Sequence, residues 1–202
     1  MMNDGELITN RKAFSFLSRE CEKIIDTSKR LPEFVFRRSF NKYFVIEYAH
    51  IYKKEFAAFL SQMSTVHKDE FVNYMSLDPH PVDYYYEHSS VFGLASFRSP
   101  SLSERYLPVL YREQGVSKLL AGVNVGVFWG SSLKWGIFCD RISWEMAVIA
   151  VSENVDVPTL SGLRCWNASE VSSYVKSQYS TKDPSNSIAL EFSQKFLANY
   201  HI

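Results

Sequence analysis

A chain of 202 residues with 46% hydrophobic and 22% charged residues has the balance of an ordinary folded domain, and is long enough to bury a core without disulfides or metal. Its 22 basic and 22 acidic side chains cancel, 13 against 13 through residue 100 and 9 against 9 beyond it. A duplex-binding protein carries a basic excess that releases phosphate counterions, so nucleic acid is not an expected partner, and no acidic excess is present to mimic one. The longest apolar region, around Val123–Trp129, is broken by Gly126, Gly130 and Ser131, short of the ~20 residues of a membrane helix.

Taken in order, Met1–Glu6 lacks the charged-then-apolar pattern of a secretory leader, and Cys21, Cys139 and Cys165 are an odd number with no short pairing. The length fits a single domain, residues 1–202, and both features lead to the expectation that it stays in the reducing cytoplasm. A first helix is expected over Arg11–Thr27, where Phe14, Leu17, Cys21 and Ile24 form one apolar stripe that makes Cys21 a core residue. Phe34–Arg37 and Tyr43–Tyr48 read as strands. Tyr52, Phe56, Phe59, Leu60 and Met63 share a face of a second helix near Ile51–Met63, with Phe71, Tyr74 and Met75 as a further helical turn.

Ser76–Pro81 carries two prolines and reads as a loop. Tyr84–His88 and Val91–Phe97 are expected strands, followed by a short helix from Ser101 with Glu104 as its capping box and Pro108 limiting its length. Leu119–Trp129, Trp135–Cys139 and Trp144–Val151 give three more strands, the last apolar on both faces and so central in a covered sheet. Two helices close the chain: one capped by Asn167 and Glu170, with Trp166 and Val171 as a hydrophobic staple, the other opened by Asp183-Pro184 with Ile188, Phe192, Phe196 and Tyr200 on one stripe. Without a regular strand–helix alternation, the order predicts an α+β fold with a mixed or antiparallel central sheet packed by helices.

Motifs with chemical consequences are few. Gly122-Val123-Asn124-Val125-Gly126 lacks the Lys-Ser/Thr of a phosphate loop and the third glycine of a dinucleotide fingerprint. Asp78, His80, Asp83, Glu87 and His88 offer oxygen and nitrogen ligands, but at a spacing that matches no recurring metal motif, so neither metal nor cofactor is expected. Cys139 stands beside Asp140, whose charge raises a thiol pKa, the wrong direction for a nucleophile. Lys29, Arg30, Arg37, Arg38 and Lys42 interleave with Phe34, Phe36 and Phe40. With zero net charge, that pattern reads as a protected edge strand in preference to a grip on single-stranded nucleic acid.

The densest cluster is Trp135–Val151, where Asp140, Arg141 and Glu145 flank a turn beside Trp135 and Trp144. One reading is a structural knot in which Arg141 pairs with Asp140 or Glu145. The other is a contact surface with Trp135, Arg141 and Trp144 as partner-binding anchors, because Trp and Arg are favoured there. The pattern Trp-x-Ile, Asp-Arg, Glu-x-Ala-Val-Ile over these 17 residues resembles one in small bacterial immunity proteins of polymorphic and contact-dependent toxins. That resemblance implies a non-enzymatic inhibitor whose partner is a toxin domain, and it brings no catalytic residues. The alternatives are a small hydrolase built on Asp140, Arg141, Glu145 and a distant histidine, and an oligomeric scaffold that uses an aromatic surface.

Overall fold

Met146–Val151 has no polar side chain, so both its faces need cover, and in the computed structural model it lies inside a sheet with helices above and below. The structure describes residues 5–87, 90–110, 113–114, 117–152, 157, 163–179 and 185–202. Seven antiparallel strands run in the order β1 (Gly5–Leu7), β4 (Leu94–Arg98), β3 (Phe71–Asp78), β7 (Val125–Gly130), β8 (Trp135–Asp140), β9 (Met146–Val151), β2 (Lys42–Glu47). β5 (Glu113–Gln114) and β6 (Ser117–Lys118) form a separate ribbon. The fold is α+β, with an antiparallel central sheet packed by helices.

Alternation along the strands assigns the two faces. Tyr74, Phe128, Ile137, Cys139, Ala147 and Ile149 pack with α2 (Lys54–His67), α4 (Leu102–Leu110) and α5 (Leu119–Gly122). Met75, Val127, Trp129, Phe138, Val148 and Ala150 pack with α1 (Arg11–Glu22), α6 (Ala168–Tyr179) and α7 (Ser187–Tyr200). The Asn10 side chain caps α1 by accepting from the N–H groups of Lys12 (2.8 Å) and Ala13 (3.2 Å). Asn167 and Glu170 cap α6 reciprocally, each accepting the other's backbone N–H at 3.0 Å.

Several elements differ from the sequence reading. Phe71, Tyr74 and Met75 lie on strand β3, not on a helical turn: α2 stops at Lys68, which adopts a left-handed φ of 56°, and β4 and β7 then pair with β3 on both sides. Tyr84–His88 was expected to be a strand, but Pro81–Glu87 is helix α3, with Pro81 fixing the φ of its first turn and Tyr84 N–H donating to His80 O at 3.0 Å. His88 lies outside the described residues.

Phe34–Arg37 forms only an isolated bridge, Phe36 to Ile25. The expected strand over Leu119–Trp129 divides into α5 and β7, where Asn124 N–H turns aside to Asp78 O at 2.7 Å. α1 ends at Glu22 because the Cys21 carbonyl takes both the Ile24 and Ile25 N–H groups, and the chain then leaves toward Val35. The Asp183-Pro184 cap lies outside the described residues. In α7, Phe192, Phe196 and Tyr200 are buried, while Ile188 is 49% exposed.

Candidate partner-binding surface

The side chains of the β8–β9 hairpin point to separate partners. Trp135 is fully buried, and its indole N–H donates to Asp69 Oδ2 at 2.7 Å. It is a core residue, not the surface anchor expected from sequence, because odd-numbered positions of β8 face the α2 layer. Asp140 is also buried: its Oδ1 accepts the N–H groups of Ser143 (2.8 Å) and Trp144 (3.4 Å). Burial pushes this carboxyl above the usual carboxylate range, against the pull of those N–H groups.

Arg141 pairs with neither Asp140 nor Glu145. Its guanidinium donates to Ala121 O and to Asn124 Oδ1 (3.2 Å), and its backbone N–H donates to Asn124 O at 2.8 Å. Glu145 sits at a left-handed φ of 50° and accepts from the Tyr174 hydroxyl at 3.1 Å. Desolvation, with the Glu145 charge second, pushes the Tyr174 phenol up to about 12. Trp144 is half-buried and stacks on Phe192, with centroids 3.5 Å apart and planes 29° apart. The exposed apolar tip of the turn is Ile142, at 62%. No hydrogen bond or ion pair among the described residues joins a histidine to Asp140, Arg141 or Glu145.

Removing the Arg141 side chain takes two donors from the 121–124 connection, so Arg141→Ala should lower stability by about 1–2 kcal/mol. A melting temperature equal to that of the parent would refute this structural role.

The other candidates resolve similarly. Phe34, Phe36 and Phe40 pack with Tyr43 and Tyr200, so their faces are not free to stack on bases, while Arg38 lies 4.9 Å over the Phe40 ring. Asp78 Oδ2 accepts from Asn124 Nδ2 at 3.1 Å and His80 Nδ1 accepts the Val82 N–H at 3.3 Å; no three His, Cys, Asp or Glu side chains converge among the described residues. Cys21 and Cys139 are buried, and desolvation raises both thiols; Cys165 is half-buried.

The surface that the sequence did not disclose lies between α1 and α3. Two clefts of about 420 and 360 Å³ share Phe14, Ser15 and Val82, and so join into one groove along α1. Four rings run across it: Phe14 stacks on Phe92 at 4.3 Å, Phe92 on Tyr85 at 4.5 Å, and Tyr85 meets Tyr86 edge-on at 5.6 Å. Tyr86 is 81% exposed. Arg11, Arg19, Glu22 and His80 supply charged and polar groups along the same groove. Helical geometry explains the tyrosine run: consecutive positions 100° apart send Tyr84 into the core, leave Tyr85 half-buried and point Tyr86 outward. A bond chain links the hairpin to this groove, from Arg141 to Asn124 and from Asn124 to Asp78, two residues before His80.

Comparison with protein families, curated proteins and solved structures finds no match. No helix among the described residues is long and apolar enough to cross a membrane.

Proposed function

We propose that the chain is a non-enzymatic, immunity-type binding protein that acts in the cytoplasm by covering the functional surface of a partner toxin domain. The α1–α3 groove is the docking surface in this reading. The observation that carries it is Tyr86, an 81% exposed ring at the end of a four-ring stack, beside a groove that offers both signs of charge. Rigid aromatic rings flanked by arginine are the composition of protein–protein anchors. The similarity of Trp135–Val151 to toxin-immunity hairpins supports the partner class. Arg141 then acts as a positioning residue for the strand ends beside the groove, not as an anchor itself.

The test pairs the chain with the product of the adjacent gene. A stoichiometric complex and protection of growth are expected, and Tyr86→Ala should weaken binding by at least about tenfold with an unchanged melting temperature. Absence of a complex and of protection would dismiss the immunity reading. A complex indifferent to Tyr86→Ala would dismiss the groove.

A further inference from the structure

The opposite flank of α1 holds a second, smaller site. Ser96, Asn73 and Trp129 are directly paired across β4, β3 and β7, so their side chains form one row on one face of the sheet. All three are buried, and they floor a cavity of about 150 Å³. Leu17 and Leu133 wall it, and Phe16, 62% exposed, stands at its mouth.

One buried donor on this floor lacks an acceptor. The Trp129 indole N–H has none among the described residues. Beside it, Ser96 Oγ donates to Asn73 Oδ1 at 2.8 Å, so the acceptor oxygen of that amide is already engaged and what the Asn73 side chain has left to offer a ligand is its NH2 group. A buried donor without a partner is costly, and one at the floor of an apolar enclosure beside an amide NH2 defines what would fit: one strong acceptor on an otherwise apolar body. No Lys or Arg lines the cavity among the described residues, and Glu20 lies on its rim, so an anion gains no counter-charge there. The volume suits a benzene-sized group.

We propose that this cavity binds a small neutral molecule, a single ring or branched alkyl group bearing one carbonyl oxygen, and that the oxygen accepts from Trp129 Nε1 and Asn73 Nδ2. The site is independent of the docking groove and does not rest on the immunity reading.

Acetophenone, ethylbenzene and benzoate, titrated separately into the intact chain and followed by NMR, provide the test. Acetophenone should bind saturably, at least about tenfold more tightly than either of the others, because only it is both apolar and an uncharged acceptor. Its protons should show NOEs to the methyl groups of Leu17 and Leu133. Asn73→Leu should bring acetophenone to the affinity of ethylbenzene while leaving ethylbenzene unchanged. Equal affinities in the parent protein, NOEs elsewhere, or no saturation would each overturn the proposal, whether or not the variant folds. So would ordered water found hydrogen-bonded to both donors with no displacement by acetophenone.

Discussion

Asp69→Ala should lower the unfolding free energy by about 3–5 kcal/mol, as much as truncating a buried aromatic side chain. The Asp69 side chain is buried between α2 and β3, where Oδ2 accepts the Trp135 indole N–H at 2.7 Å and Oδ1 accepts the Ser132 backbone N–H at 2.6 Å. Truncation orphans both donors and opens a void beneath a buried tryptophan. Asp69→Asn, which keeps one acceptor oxygen, should lose roughly half as much. Gly130→Ala approaches the same network from the other side: a Cβ there would lie 2.3–2.5 Å from the Asp69 carboxyl group, which is held on both oxygens and has nowhere to retreat. Denaturant titration measures these differences, and the near-UV signal of Trp135 reports on the site. An Asp69→Ala loss below about 1 kcal/mol would mean that both donors find other acceptors.

Trp144→Ala is expected to cost about 2–3 kcal/mol by detaching the hairpin from α7. The Trp144 ring lies 3.5 Å from that of Phe192 and 4.9 Å from that of Tyr179, whose hydroxyl donates to Ser143 O at 2.9 Å. One indole therefore joins the β8–β9 turn to both closing helices, α6 and α7. A double-mutant cycle with Phe192→Ala should give a coupling of about 1 kcal/mol. Zero coupling, or lost partner binding at unchanged stability, would restore Trp144 to the role of a surface anchor.

The central strands were legible in the sequence because their pattern has one physical solution. Met146–Val151 has no polar face to give to water, and Asn167 with Glu170 matches a cap that needs only local geometry. Phe71–Met75 was not legible, since its apolar positions fit a helical period as well as alternation, and the choice was made by β4 and β7, remote in sequence. Tyr84–Glu87 failed for a related reason: a run of aromatics favours strands, but Pro81 begins a helix.

At the candidate site, the sequence located a charged turn but not the bonds within it. Arg141 has two acidic neighbours in sequence, yet its hydrogen bonds go to Ala121 and Asn124, which the sheet brings near it. Trp135 and Trp144 look alike as letters, but strand parity turns Trp135 inward, while Trp144 lies in the turn between β8 and β9 and is half-buried. The groove was hidden because Phe14, Phe92 and Tyr85 come from three separate elements.

The placement of β2 bears on how the chain reaches this state. Its sole strand partner among the described residues is β9, so residues 42–47 cannot join that pairing until residues 146–151 have been synthesised. The clamp on the segment that precedes β2 closes later still, when the Tyr200 hydroxyl donates to Glu33 O at 2.7 Å and accepts from Val35 N–H at 3.1 Å. Such far-apart pairings slow folding, because loop-closure entropy is lost before the contacts are gained. Tyr43–Ile46 is thus an apolar segment without its sheet partner until residues 146–151 have been made, the kind of transiently exposed strand that invites aggregation during folding.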